Sequence, residues 1–218
     1  TNRTIIYVIS SDRGLCGRFN AAIIESVSKL RAEIEKLGSE PSFVFIGKKA
    51  VRYFERRGAK IISTHEIGKI HDFAEFAKRM GDECVENYRD GKADEIFLIR
   101  TKKLSPILNK PSIDKILPLQ EKSHDTKNEV QSYAPIIETD REALAEGALR
   151  YFIQSQFHMA LIESSLCEHS SRMTAMDSAS TNCQRLIDEY VQKRNRARQT
   201  SITTEISEIV SGKEALGE

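Results

Sequence analysis

The sequence predicts an α/β fold: a Rossmann-like, three-layer domain with a mostly parallel sheet, followed by one very long C-terminal α-helix. Apolar, β-branched runs alternate with helical stretches, which is typical of a parallel sheet covered by helices. The first run, TIIYVIS at residues 4–10, is apolar without alternation, as in a strand buried on both faces. No glycine or proline occurs between Ala148 and Ser211, so the pattern predicts a helix of about 64 residues, or about 95 Å.

The predicted elements of the domain follow in order along the chain. Strands are predicted at residues 4–10, 42–46, 61–62, 95–101 and 113–117, and helices at residues 19–37, 48–57 and 72–88. Prolines surround the last strand, which is therefore expected at an edge of the sheet. The segment EKSHDTKNEVQ at residues 121–131 is almost free of apolar side chains and is predicted to be a mobile loop. We place the domain boundary there: residues 1–135 form the α/β domain and residues 136–218 the helical part.

The long helix carries signals at both ends and a seam along its length. Thr139 and Glu142 have the spacing of a capping box, Asp140 adds a carboxylate to the first turn, and Gly212 is predicted to end the helix as a left-handed C-cap. Alternating steps of four and three residues connect a heptad seam: Ser155, Met159, Ile162, Leu166, His169, Met173, Met176, Ser180, Cys183, Ile187, Tyr190, Arg194, Ala197 and Ser201. A heptad seam predicts a partner helix, and its many polar members predict modest affinity.

Composition excludes several classes of function. The net charge is +1, which gives no overall attraction to nucleic acid, and no apolar run approaches the roughly 18 residues of a membrane span. Neither a signal peptide nor a transit sequence is recognisable. The four cysteines and five histidines lack metal-ligand or redox spacing, so we expect a reducing compartment, no metal site and no cofactor.

The turn after the first strand is the position at which an open α/β sheet usually binds phosphate. Gly14 and Gly17 do not match G-x-G-x-x-G, because Cys16 occupies the position two after Gly14. We therefore favour a structural turn or a protein-contact loop, with an ion pair between Asp12 and Arg13. A small nucleotide-binding Rossmann-type protein remains the alternative. The sequence contains no recognisable catalytic motif, so no catalytic residue is predicted.

A basic cluster lies near the end of the long helix. Lys193, Arg194, Arg196 and Arg198 place four cations within six residues. Three interpretations are open: a solvated face, a nucleic-acid-binding helix, or a docking surface for acidic loops of partner proteins. In the last interpretation, Gln199, Thr203 and Glu205 add directional hydrogen bonds.

Four segments together resemble the gamma subunit of F-type ATP synthases. They are SDRGLCG at residues 11–17, PSIDKILPL at residues 111–119, SSRMTAM at residues 170–176 and NRARQTSITTEISEIVSG at residues 195–212. The resemblance extends over essentially the whole chain, and its last segment is highly specific. It differs at the C-terminal tip, where Lys213 replaces the usual alanine.

The resemblance implies a central-stalk rotor that transmits torque between the ion-driven c-ring and the catalytic ring of alpha and beta subunits, coupling ion transport to ATP synthesis or hydrolysis. It implies no active site and no bound nucleotide in this chain. The implied partners are the alpha, beta and epsilon subunits and the c-ring, with no nucleic acid and with membrane contact only through the c-ring. The implied location is the cytoplasmic face of the bacterial inner membrane or, alternatively, the matrix side of the mitochondrial inner membrane.

The resemblance also assigns roles to residues. Arg198, Gln199, Thr203 and Glu205 match positions that contact beta-subunit loops, and we add Arg194 of the same basic cluster. The loop of Ser11, Asp12, Arg13, Gly14, Leu15, Cys16 and Gly17 is expected to be structural or to contact epsilon or the c-ring. Members of this family begin with a helix that winds antiparallel around the C-terminal one, and that segment is missing here. We therefore expect this chain to contribute half of an antiparallel coiled coil.

Overall fold

The computed structural model describes residues 3–105, 108–119, 140–215 and 217. Its strands are β1 (Thr4–Ile9), β2 (Ser42–Ile46), β3 (Lys60–His65), β4 (Glu95–Lys103) and β5 (Asn109–Leu117). Its helices are α1 (Phe19–Lys36), α2 (Lys48–Glu55), α3 (Phe73–Arg89) and α4 (Arg141–Ala215), with a short 3₁₀ helix at Ile70–Asp72. The predicted fold class is confirmed, and each predicted strand and helix is present.

The five strands form one sheet in the order β3-β2-β1-β4-β5. Strands β1 to β4 are parallel, and β5 is antiparallel to β4. All six residues of β1 are buried because helices cover both faces of the sheet. Strand β5 lies at an edge, as predicted, and an edge position tolerates Pro111 within the strand, so β5 begins four residues earlier than the sequence indicated.

Two hydrophobic cores separate the three layers. On one face, α1 and α2 pack against the sheet, and the rings of Phe43, Phe45 and Phe54 stack with centroids 5.5–5.7 Å apart. On the other face, α3 and the first part of α4 pack against β1, and Phe157 meets Tyr7 edge to face at 5.1 Å. The sheet is therefore covered on its second face partly by the long helix itself.

Helix α4 is a single element of 75 residues. At its start, Asp140 Oδ1 accepts a hydrogen bond from the backbone N–H of Glu142 at 3.3 Å, while Thr139 lies outside the described residues. The prediction that Gly212 ends the helix is wrong, because the helix continues to Ala215. An exposed glycine lowers helix propensity without forcing a left-handed conformation, and the residues after Gly212 are good helix formers.

The described structure does not include every predicted feature. The predicted loop at residues 121–131 and the boundary between residues 135 and 136 lie outside the described residues. The chain divides into two compact units, Thr1–Met173 and Thr174–Glu218. The first unit contains the sheet, α1 to α3 and the first part of α4, and the buried residues of α4 run from Ile153 to Cys167.

Candidate functional site

The loop from Ser11 to Gly17 is held in place by its own side chains. The Ser11 hydroxyl donates to the carbonyl of Arg13 at 2.6 Å and accepts from Asn20 Nδ2 at 2.7 Å. The backbone N–H of Ser11 donates to Asn20 Oδ1 at 3.1 Å, which connects the loop to the first turn of α1. Leu15 and Gly17 adopt positive φ angles of 62° and 56°, so the loop turns sharply just before α1.

Asp12 connects this loop to the loops that follow β2 and β3. Its two carboxylate oxygens accept hydrogen bonds from the backbone N–H groups of Lys48 at 3.2 Å and Ile67 at 2.9 Å. The predicted ion pair between Asp12 and Arg13 is wrong, because the Asp12 carboxylate bonds these backbone groups instead. The free N–H groups at the N-terminus of a helix bind anions, and at the N-terminus of α2 the bound anion is the Asp12 carboxylate. Its two oxygens occupy the backbone N–H groups of Lys48 and Ile67, so these groups are not open to a nucleotide phosphate.

Gly47 brings the β2 loop into direct contact with β1. It has a φ of 99°, and a Cβ added there would lie 2.2 Å from the carbonyl oxygen of Ser10. The hydroxyl of Ser10, which is buried, donates to the carbonyl of Gly47 at 3.1 Å. The ends of β1 and β2 are therefore closed against each other by backbone contact.

A cavity of about 610 Å³ opens beside the Ser11–Gly17 loop. Its charged lining residues include Asp12, Arg13, Lys48, Glu66, Glu168 and Arg172. Lys48 pairs with Glu66 at 2.6 Å, and Arg172 pairs with Glu168 at 2.5 Å. Cations, which also include Lys69, and carboxylates are thus mixed along its wall.

Arg172 of α4 contacts the Ser11–Gly17 loop. Its Nη2 donates to the carbonyl of Gly14 at 3.5 Å as well as to Glu168 Oε1. Two of the segments that carry the family resemblance, residues 11–17 and 170–176, are therefore neighbours in space. Sequence reasoning missed this contact because 158 residues separate the two partners.

Further polar contacts fix the first part of α4 to the domain. At its beginning, Asp82 of α3 accepts from Arg150 Nη1 at 2.8 Å and from Gln154 Nε2 at 3.0 Å. At the same crossing, a Cβ on Gly81 would lie 2.9 Å from the Cα of Gln154 and 2.7 Å from its Cγ. Glycine at this position therefore lets the two helices touch backbone to backbone.

Nearer its middle, α4 contacts β4 and β5 through a buried arginine. Arg100 donates to Asp114 at 2.8 Å through Nε and contacts Glu163 of α4 through Nη1. The Ser164 hydroxyl accepts from the backbone N–H of Thr101 at 3.2 Å. One turn later, Asn109 Nδ2 donates to the carbonyl of Cys167 at 3.2 Å. None of these contacts was anticipated from the sequence.

Two of the carboxyls in these contacts have lowered pKa values. The hydrogen bond from Arg150 holds the pKa of Asp82 below its usual range, against the smaller effect of burial. Burial by itself raises the pKa of Asp114, but hydrogen bonds from Lys102, Arg100 and Ser112 outweigh it and lower the pKa overall. Both carboxylates are therefore stabilised in their charged form.

The heptad seam of α4 is exposed except at Ser155, which is half-buried. Met159, Ile162, Leu166 and Met173 are between 41% and 71% exposed, whereas Phe157 is buried. At about 100° per residue, the seam lies on the face of the helix opposite the buried residues. The first part of α4 is thus apolar on two sides, one of which packs against the sheet.

The predicted beta-subunit contacts all lie in the second compact unit and are exposed. At about 100° per residue, Arg194, Arg198 and Glu205 share one side of the helix, whereas Gln199 and Thr203 lie on the other. Thr203 Oγ1 donates to the carbonyl of Gln199 at 2.9 Å. Within the described part of the chain, no carboxylate lies within salt-bridge distance of Arg194 or Arg198. Their role in binding stays a prediction.

Among the described residues, no group of three or more His, Cys, Asp or Glu side chains is placed to hold a metal ion. In the same part of the chain, no helix combines the length and the apolar character that a membrane span requires.

Comparisons with known proteins point in one direction. A family model described as ATP synthase matches residues 1–216. The ATP synthase gamma chain of Persephonella marina is 33% identical over 213 residues, covering 97% of this chain and 72% of the relative. That of Halothermothrix orenii is 36% identical over 220 residues, covering 99% of this chain and 74% of the relative.

Solved structures with similar folds include two mitochondrial assemblies. One is a chain of the Euglena gracilis mitochondrial ATP synthase OSCP/F1/c-ring structure, with a TM-score of 0.74 and 15% identity, covering 99% of this chain and 73% of that one. Another is a chain of the Tetrahymena thermophila mitochondrial ATP synthase central stalk/c-ring structure, with a TM-score of 0.60 and 21% identity, covering 82% of this chain and 77% of that one. At these identities, the similarity establishes the shared fold.

Proposed function

Since this chain belongs to the family of ATP synthase gamma chains, we propose that it forms the central rotor stalk that transmits torque between an ion-driven c-ring and a catalytic ring of alpha and beta subunits. The observation that supports this role best is α4, a single 75-residue helix whose first part is fixed to an α/β domain. A rotor needs such a part, because torque applied to the domain must turn the helix without slipping.

The contacts of α4 within the first unit suit this task. Their partners lie on α3, on β4 and in the Ser11–Gly17 loop, and the contacts extend along the helix from Arg150 to Arg172. Contacts away from the helix axis resist rotation of the helix against the domain, whereas a single contact leaves it free to turn. The buried ring of Phe157 adds apolar packing to the same face.

We propose that the beta subunits contact the second unit one after another as the rotor turns. Polar groups lie on more than one side of this part of the helix: Arg194, Arg198 and Glu205 on one side, and Gln199 and Thr203 on the other. A rotating part biases each catalytic site only by its differential contacts with that site's conformations. Polar contacts on more than one side allow successive subunits to be engaged as the helix turns.

We further propose that the exposed seam packs against an antiparallel helix, and that the α/β domain contacts epsilon and the c-ring. In this assignment the chain has no active site, and the catalytic chemistry belongs to the complex. The Asp12 carboxylate supports this, since it bonds backbone N–H groups at the end of the sheet where a nucleotide-binding protein uses such groups for phosphate. A calorimetric titration with ATP, ADP and NAD is expected to show no micromolar binding to the purified chain.

For location, we propose the cytoplasmic face of the bacterial inner membrane, reached through other subunits. The bacterial gamma-chain relatives support this choice over the matrix side of mitochondria.

The test of the proposed function is a charge reversal at Arg198. Arg198→Glu is expected to lower coupled ATPase turnover in a reconstituted complex at least tenfold, while circular dichroism of the chain stays unchanged. Arg185→Glu is the matched control, since Arg185 is also exposed on α4 and is not among the predicted contacts. Equal turnover for wild type and Arg198→Glu contradicts the assignment of the beta-subunit contacts to this surface.

A further inference from the structure

The most concentrated positive charge in the α/β domain lies on and just after α2. Between residues 48 and 60 there are six cations and one acid, a local charge of +5. Because the whole chain carries +1, the remaining residues carry −4. We name this set the α2 basic surface: Lys48, Lys49, Arg52, Arg56, Arg57 and Lys60.

The helix presents these cations to solvent on one side. Ala50, Val51 and Phe54 are buried against the sheet. Lys48, Arg52 and Arg56 recur at intervals of four residues and are exposed, so they form a row on the opposite side. The helical repeat thus places the apolar residues on the side facing the sheet and these cations on the side facing solvent.

This arrangement is unfavourable for the isolated fold. Like charges four residues apart on a helix repel each other, and cations at a helix N-terminus oppose its dipole. The first turn of α2 contains no acid of its own, and the Asp12 carboxylate, which bonds the backbone N–H of Lys48, offsets only part of the charge of Lys48 and Lys49. Lys48 pairs with Glu66 at 2.6 Å, and Arg57 stacks on Tyr53 at 3.6 Å. In the described chain, no carboxylate lies within salt-bridge distance of Lys49, Arg52, Arg56 or Lys60.

We propose that the α2 basic surface binds the anionic phospholipid surface of the membrane, an inference that rests on the proposed rotor function and adds a direct membrane contact to the expected one through the c-ring. The row is on a convex helix face, where it meets a broad anionic surface better than a single enclosed anion. Clusters of four to eight cations on an amphipathic helix are typical of binding to anionic lipid.

A fluid bilayer also suits a rotating partner better than a fixed protein surface does. Its charge is laterally uniform, so diffuse attraction holds the rotor close without favouring any one angle. A specific acidic site on a stationary subunit adds a rotational barrier at each pass. Lipid headgroups are therefore a better match for these cations than an acidic segment of a stationary subunit.

The experiment measures sedimentation of the purified chain with vesicles of phosphatidylcholine, with or without phosphatidylglycerol. We expect binding only to the anionic vesicles, with an affinity that falls as salt rises. The double variant Arg52→Glu/Arg56→Glu is expected to bind at least tenfold more weakly. The neutral variant Arg52→Gln/Arg56→Gln is expected to lose affinity to a smaller extent, and circular dichroism checks that both variants fold.

Arg194→Glu/Arg198→Glu is the matched control, because it has the same residue types, the same spacing and the same change in charge. It is expected to keep most of the vesicle affinity. The proposal is overturned if this control loses as much affinity as the α2 variant, or if the chain binds polyglutamate or duplex DNA but not anionic vesicles. ATPase turnover of a detergent-solubilised complex carrying Arg52→Glu/Arg56→Glu is expected to stay normal, which separates failure of lipid binding from failure of the rotor function.

Discussion

Gly81 is the residue whose identity is most tightly constrained by the packing of α4. Its α-carbon faces the backbone of Gln154, and a methyl group there meets Gln154 Cα at 2.9 Å. We predict that Gly81→Ala lowers the free energy of unfolding by about 1–3 kcal/mol, because the clash outweighs the gain in helix propensity. Urea denaturation followed by circular dichroism measures the change.

Gly147 is the matched control for this substitution. It also lies within a helix, and nothing lies within 4 Å of a Cβ added there. Gly147→Ala is expected to raise the free energy of unfolding by up to about 1 kcal/mol, since only the helix propensity changes. If both substitutions stabilise the chain, the close approach of α3 and α4 is not as the structure describes.

The four cysteines differ sharply in access to reagents. Cys16, Cys84 and Cys167 are buried, and Cys183 is exposed. Burial raises the pKa of Cys84 to about 12, so its thiol stays protonated and unreactive at pH 8. We predict that one equivalent of a maleimide reacts with the folded chain, that Cys183→Ser removes this reaction, and that Cys84→Ser leaves it unchanged. Four equivalents are expected after unfolding; rapid labelling of a second cysteine in the folded chain contradicts the prediction.

The contact between α3 and α4 is sensitive to acid through Asp82. Arg150 lowers the pKa of Asp82 in the folded chain relative to its usual value near 4. A carboxyl with a lowered folded-state pKa stabilises the fold above its unfolded-state pKa, and this stabilisation is lost as pH falls through the folded-state value. We predict that wild type is more stable than Asp82→Asn at pH 7, and that the difference shrinks as pH falls below the usual aspartate pKa and disappears once pH is below the lowered folded-state pKa.

A double-mutant cycle with Arg150→Ala identifies the cause. The coupling energy between Asp82 and Arg150 is expected to be favourable at pH 7 and near zero in acid. A coupling energy that does not vary with pH assigns the effect to packing instead of charge.

Most elements of the fold were predictable from local patterns. Two local signals are the apolar run of β1 and the absence of glycine and proline from Ala148 to Ser211. The strand and the long helix that they predict are both present. The attachment of α4 was not predictable, because the partners Arg100 and Glu163 are joined only by the tertiary fold. The prediction that Gly212 ends the helix was wrong because a glycine alone does not distinguish a C-cap from an exposed position within a helix.

The candidate site was predictable only in part. The residues of the Ser11–Gly17 loop were singled out by their place after β1, but the hydrogen bonds of Asp12 to the N–H groups of Lys48 and Ile67 connect separate segments of the chain. No one-dimensional pattern carries such contacts. The predicted beta-subunit contacts on α4 depend on the basic cluster and on the family resemblance, because these exposed side chains do not take part in the packing of the chain itself.

At the level of the whole molecule, the first part of α4 belongs to the α/β unit both in space and in energy. We predict that a chain ending at Met173 unfolds with a free energy within about 1 kcal/mol of the full chain, because the buried residues of α4 precede this point. A chain ending at Leu149 lacks Ile153, Phe157 and Leu161. It is expected to lose roughly 5 kcal/mol or more, which is comparable to the total stability of a small domain.

Circular dichroism and urea denaturation of the two truncated chains test this division. Cooperative unfolding of the chain ending at Leu149 contradicts the view that α4 is part of the domain core. Loss of folding in the chain ending at Met173 contradicts the boundary of the first compact unit.

The hydrogen bonds of Asp12 at the carboxyl end of the sheet bear on whether nucleotides can regulate the α/β domain. A rotor in this family works beside sites at which ATP and ADP are bound and released. If the stalk also bound these nucleotides, its conformation would depend on the ratio of ATP to ADP in the cell. Because the Asp12 carboxylate already bonds the backbone groups of that crevice, we expect the α/β domain not to respond to the adenylate pool, so that changes in nucleotide supply reach the rotor only as mechanical load.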